Sequence, residues 1–226
     1  MRRATVLVAA LLLLAAEASA QGTTPAGRVE VGAGIEWLGS SAFDTAAATE
    51  TTSTGGFSTL FSTSSTLKSA VGFQAHLGVR VTERLEAQVI GAISDPSLST
   101  TITGDIETTD TVTATDSIRQ YVIGGGALWY FPVRRSPRLT PFATGNIAYL
   151  RQLHETRTLV ETGQLYRVSG GVKYLFASRS GSVVKGYGLR AEGGFAVRVK
   201  GVAFDGGTHT SPWVAASLFA RFGSRR

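Results

Sequence analysis

The sequence predicts an all-β protein, a single antiparallel eight-stranded up-and-down barrel. Three observations carry this. Apolar residues recur at every second position rather than at three and four, which is the period of a strand. Eight such segments follow one another, most of them about twice the usual strand length of ~5–6 residues. The connections between them alternate long and short along the chain.

The stretch VGFQAHLGVRVTERLEAQVIGA, residues 71–92, shows the rhythm most clearly. Val71, Phe73, Ala75, Leu77, Val79 and Val81 form one face, and Gln74, His76 and Arg80 lie between them. Glu86 and Gln88 resume the pattern after a tight turn at 82–84. The other strands are expected near 28–39, 118–131, 139–151, 164–176, 186–199 and 212–222, with 70–81 and 85–93 inside the quoted stretch. In the first, Val29, Val31, Ala33, Ile35 and Trp37 share a face opposite Glu30 and Glu36. Long connections at 40–69, 94–117, 152–163 and 200–211 alternate with short ones at 82–84, 132–138 and 177–185. The Thr-rich long connections are expected to be low-complexity and mobile. In the fourth and fifth strands the parity stays open. Val122, Leu128 and Tyr130 form one candidate apolar face; Tyr121, Ile123, Ala127 and Trp129 form the other.

Before the first strand, Met1-Arg2-Arg3, the apolar run ATVLVAALLLLAA and the small-x-small site Ala18-Ser19-Ala20 have the layout of a secretory signal peptide. The chain is therefore divided into a signal peptide, 1–20, and a barrel domain, 21–226. There is no Cys, so neither disulfides nor thiol chemistry are available. The formal charge is +6, but the charges are scattered singly, and an exported chain seldom meets nucleic acid. No nucleic-acid partner is expected. No later segment is apolar enough for a membrane helix.

An exported barrel can keep its apolar face inside, as a lipocalin-like binder does, or turn it outward to lipid. Strand length favours the second arrangement. About 11 residues tilted by ~45° cover the ~25 Å apolar band of an outer-membrane barrel. Aromatic residues also gather at strand ends, as interfacial girdles require. Trp37, Phe73, Tyr149, Tyr166 and Trp213 fall at the loop side. Tyr130, Phe131, Phe142, Tyr174, Phe176, Tyr187 and Phe222 fall at the turn side. The polar faces carry both signs of charge at mid-strand. Glu30, Glu36, His76, Arg80, Glu86, Arg167, Lys173, Arg190, Glu192 and Arg198 are expected to form a network in the lumen. A basic residue facing lipid at the midplane costs ~2–4 kcal/mol, and turning it inward avoids that cost.

The closing segment VAASLFARF places Val214, Ala216, Leu218, Ala220 and Phe222 on one face and ends in an aromatic residue. It resembles the signal read by the outer-membrane assembly machinery, although GSRR follows it here. Together with GVRVTERLEAQV and GGGALWYFPVRRSPRLTPFATGNIAYL, it makes the chain resemble small bacterial outer-membrane β-barrels of the OmpA-transmembrane, OmpX or OmpW type. The resemblance implies a place in the outer membrane of a Gram-negative-type bacterium. It implies no one activity, because that group includes adhesins, anchors, narrow pores and enzymes. The expected partners are outer-membrane lipid, lipopolysaccharide and, during biogenesis, the assembly machinery, for a barrel that is monomeric.

Sites for chemistry are sparse. His209 and Ser211 reproduce the His-x-Ser pair of outer-membrane lipid A deacylases, but no Asp, Glu or Asn follows Ser211 to orient the base. His76 is expected to be an interior hydrogen-bonded residue and His154 a loop residue. Asp105, Glu107, Asp110 and Asp116 could attract a cation, but solvated surface charge is the simpler reading. No catalytic residue, metal ligand or cofactor is expected. The expected role is structural or surface-interacting. The alternatives are a narrow small-solute pore, an exported lipocalin-like binder and, least favoured, a deacylase.

Overall fold

The computed structural model describes residues 28–43, 45–51, 55–104, 111–131, 138–154, 159–178, 182–201 and 207–223. The proposed signal peptide, three of the four acidic loop residues (Asp105, Glu107, Asp110) and the GSRR tail beyond Gly223 lie outside them.

Every element among the described residues is a strand. In chain order they are β1 (Val29–Leu38), β2 (Ser41–Ala42), β3 (Ala46–Thr51), β4 (Phe57–Leu67), β5 (Ala70–Arg80), β6 (Leu85–Ser94), β7 (Ser97–Thr103), β8 (Val112–Tyr130), β9 (Leu139–His154), β10 (Val160–Ser178), β11 (Val184–Lys200) and β12 (Thr208–Phe222). Eight of them close a barrel in the order β1-β5-β6-β8-β9-β10-β11-β12, each antiparallel to its neighbours, and β12 pairs back onto β1. Closure leaves no open edge in this ring, so each of its strands is laddered on both sides. That is the condition for strands in hydrocarbon.

The register defines the barrel's shape. Following the pairing once around from Leu38 leads through Trp213, Gly194, Ser169, Thr144, Leu128, Glu86 and Arg80 to Arg28, ten positions before its start. A stagger of that size in eight strands tilts them by roughly 40–45°. Because the stagger is an even number of residues, one side-chain parity stays inside around the whole circuit.

The remaining strands correct the expectation that 40–69 and 94–117 are mobile links. β4 pairs with β2, β3 and β7, and β7 pairs with the first residues of β8, from Ser97↔Ser117 to Ile102↔Val112. A Ser/Thr-rich sheet therefore continues one side of the barrel beyond its long-loop end. Thr favours strands because its β-branched side chain suits a pleated surface. The sheet also has an apolar anchor: Phe43, Leu67, Leu98 and Ile118 form a buried cluster under it. The short connections lie at the opposite end of the barrel.

Two lumen-facing glycines show how tightly the wall encloses its contents. A Cβ on Gly32 would lie 2.3 Å from the His76 ring, and one on Gly78 would lie 2.3 Å from a Glu86 carboxylate oxygen. Both positions need the missing side chain to make room for a polar group from the neighbouring strand.

Candidate functional site

The barrel's polarity is that of a membrane protein turned inside out relative to a soluble one. Val31, Ile35, Phe73, Val89, Ile123, Ile147, Val168, Phe195 and Leu218 are exposed on the outside. Glu36, Glu86, Arg167 and Lys173 are each only 1 % exposed inside. A soluble lipocalin-type barrel would reverse these two sets. In β8 and β9 the open parity resolves the same way: Tyr121, Ile123, Ala127 and Trp129 face out, while Val122, Leu128 and Tyr130 face in.

Near the turn end the lumen holds a connected ionic cluster. Lys173 donates from Nζ to Glu30 Oε1 at 2.5 Å, to Glu86 Oε1 at 3.2 Å and to the Tyr130 hydroxyl at 2.6 Å. The Tyr130 hydroxyl in turn donates to Glu86 Oε2. Arg221 donates from Nε to Glu30 Oε2 at 3.1 Å, and His76 Nε2 lies 3.5 Å from Glu30 Oε1. Half-buried Arg80 stacks its guanidinium 4.5 Å from the Tyr130 ring centre. Arg221 is a member that the sequence reasoning missed, because it was read with the apolar closing strand. Its parity with Phe219 and Ser217, opposite Leu218 and Phe222, was the available signal.

The middle layer is mixed. Arg190 donates to Glu192 Oε2 at 2.8 Å and to Gln88 Oε1 at 3.0 Å. Gln88 then donates to Thr144 and Asn146 at 2.9 and 2.8 Å. Higher up, Arg167 grips Glu36 with both guanidinium arms, at 2.8 and 3.2 Å, and lies 4.8 Å from the Trp213 ring. Toward the loop end the lumen turns apolar. Leu38, Val122, Leu150, Leu165 and Trp213 form a collar, closed above by Gln152 donating to Gln120 at 3.1 Å, with Arg198 beside them.

Among the girdle aromatics, Trp37, Phe73, Tyr174 and Tyr187 are exposed on the outer wall, and Tyr166 and Phe222 are partly exposed. Three placements need correction. Trp213 is 2 % and Tyr130 3 % exposed, both inside the lumen. Phe142, expected at the turn side, is also buried inside. Each ring is adopted by an interior cation: Trp213 by Arg167, Tyr130 by Lys173 and Phe142 by Arg190. A cation over an aromatic face is favourable, more so where water is excluded. Nearness to a strand end had outweighed parity in the expectation.

The histidines are dispersed. His76 is in the turn-end cluster, and the His209 ring packs edge-on against Phe43 at 4.7 Å. His154 lies in β9 rather than in a loop, with Nδ1 2.5 Å from Asp116 and Nε2 3.8 Å from Glu161. It therefore bridges β8 and β10 at the long-loop end. Among the described residues, no group of three His, Asp or Glu side chains is arranged to hold a metal ion.

A closed antiparallel barrel with an apolar exterior and a charged interior is a transmembrane β-barrel. The family model for the outer membrane protein beta-barrel domain matches residues 6–200, and the chain belongs to that family, placed in the bacterial outer membrane. Similar solved structures include Neisserial surface protein A, 14% identical, covering 86% of this chain and 97% of that one with a TM-score of 0.49. OprG of Pseudomonas aeruginosa is 11% identical, with 87% and 95% coverage and a TM-score of 0.49. The attachment invasion locus protein Ail of Yersinia pestis is 10% identical, with 87% and 99% coverage and a TM-score of 0.39. No curated protein matches the chain.

Proposed function

We propose that this chain is a closed, non-catalytic outer-membrane barrel that holds a Ser/Thr-rich sheet outside the cell for surface interaction. The carrying observation is the filled lumen. Ion-paired side chains occupy its lower and middle layers, and above them Leu150 and Leu165 are 0 % and 1 % exposed. An eight-stranded barrel is just wide enough for side chains to fill, and here they interlock from both sides of the ring. The outer sheet is rooted by its own apolar cluster of Phe43, Leu67, Leu98 and Ile118. That anchoring suits a platform more than a mobile loop. On this reading the barrel works as a monomer whose outer wall meets membrane lipid and lipopolysaccharide, and its last strand is what the assembly machinery reads.

Planar-bilayer recording tests the proposal. The purified chain should give no discrete conductance steps. Stable, reproducible channels would replace this reading with that of a small-solute pore.

A further inference from the structure

The outer wall carries a groove of about 1010 Å³ across β1, β5, β6, β8 and β9. Its floor follows from the register. Ala33 pairs with Ala75, Ala75 with Gly91, Gly91 with Ile123, and Ile123 with Tyr149. The first three are outward-facing positions with little or no side chain. The next outward row is bulky: Ile35, Phe73, Ile93, Tyr121 and finally Arg151 stand in register. Three small residues beside a ridge of large ones make a trench.

The trench slants. Rows perpendicular to tilted strands climb the barrel, and the stagger places the Tyr149 end uppermost. Four interstrand steps of ~4.8 Å at this tilt give a rise of about 13 Å, close to one leaflet's hydrocarbon. The trench thus runs from mid-membrane at Ala33 to the outer interface. Arg151 lines its upper end, exposed on the outside. Unlike its neighbour Arg119, which pairs with Asp95 at 2.8 Å, Arg151 has no acidic partner among the described residues. Tyr121 and Tyr149 flank it at the depth where aromatic side chains settle.

We propose that this trench is a binding site for one acyl chain of an outer-leaflet phosphoglycolipid of the lipid A type, whose phosphate pairs with Arg151. The apolar trench accepts the hydrocarbon, and the unpaired guanidinium supplies the opposite charge at headgroup height. A guanidinium takes a phosphate through two parallel hydrogen bonds. The site lies on the outer wall, so the inference is independent of whether the lumen conducts.

The test is native mass spectrometry of the full chain released from nanodiscs containing a minor fraction of bisphosphorylated lipid A, or of the same lipid with both phosphates removed. Gly91→Leu fills the floor, where a Cβ meets nothing nearer than 3.9 Å; Ala75→Leu does the same from the adjacent strand. Arg151→Gln removes the cation, and Ala191→Leu on the far wall is the control. Heat-modifiable migration confirms folding of each variant first. Wild type and Ala191→Leu should retain lipid A. Either floor variant should retain about tenfold less of both lipids. Arg151→Gln should lose about tenfold for the phosphorylated lipid alone. Equal retention by every variant overturns the site. Sensitivity to Arg151 with no effect of either floor variant also overturns it, because that is headgroup pairing without a trench.

Discussion

Arg167 on β10 holds Glu36 on β1 in a two-armed ion pair across the lumen, at 2.8 and 3.2 Å, with both side chains shut off from solvent. The two strands are not neighbours in the ring. The pair therefore ties opposite walls together, which ladder hydrogen bonds between adjacent strands cannot do.

Removing one member should be far worse than removing both. Glu36→Gln or Arg167→Met leaves a buried charge without its counterpart and should lower the unfolding free energy by about 3–5 kcal/mol. The double variant Glu36→Leu/Arg167→Met should recover most of the loss. Urea titration of the barrel folded in vesicles, followed by tryptophan fluorescence, measures all three.

Depth should govern the cost of an outward charge. Val89 lies mid-strand in β6, and Val71 lies near the loop end of β5; both are exposed on the outer wall. Val89→Arg should cost about 2–4 kcal/mol and Val71→Arg about 0–1 kcal/mol, because only the first forces a guanidinium toward the hydrocarbon centre. The same vesicle titration reads the difference. Equal costs would place the bilayer elsewhere on the barrel.

Glycines should divide by the face they serve. Gly78→Ala puts a methyl group on the Glu86 carboxylate, displacing it from Lys173, and should destabilise by about 1–3 kcal/mol through the disturbed ion pairs. Gly91→Ala points into the outer trench and should be tolerated within about 0.5 kcal/mol. The gel shift between boiled and unboiled samples, taken over a temperature series, ranks the two.

His154 should act as a clasp. It reaches Asp116 on β8 and Glu161 on β10 from its place on β9. His154→Ala should leave the membrane portion intact but speed amide hydrogen exchange in 112–117 and 160–163 by about tenfold. That corresponds to losing roughly 1.4 kcal/mol of local stability, within the range of a charge-assisted hydrogen bond.

The fold was readable because a membrane wall makes the strongest demand on alternation. Glu30, Glu36, Arg167, Lys173, Arg190 and Glu192 alternate with the apolar residues at the parity that the lumen requires. The errors share one origin. Trp213 and Tyr130 were assigned by their height along a strand, although Trp213 has the opposite parity to Val214, Leu218 and Phe222. An aromatic ring satisfies either environment, lipid interface or interior cation, so composition does not separate them. Parity separates Trp213, but in β8, where both faces are apolar in sequence, it leaves Tyr130 open. The pairing of individual charges was not readable. Lys173 meets Glu30, 143 positions away, only because the stagger brings those heights together. The outer sheet was missed because Ser and Thr suit both loops and strands. What committed it to strands was burial of Phe43, Leu67, Leu98 and Ile118, four residues spread over distant segments.

Glu30 lies on β1, whereas its partners Lys173 and Arg221 belong to β10 and β12, and β12 is the strand that seals the ring. A wall lacking those two strands would leave the Glu30 carboxylate only His76 of β5 beside it. A charge shut away from water without its counterparts is costly, so a wall that stops short of β12 is disfavoured. The strand that closes the ring is thus also the one that carries Arg221 to Glu30.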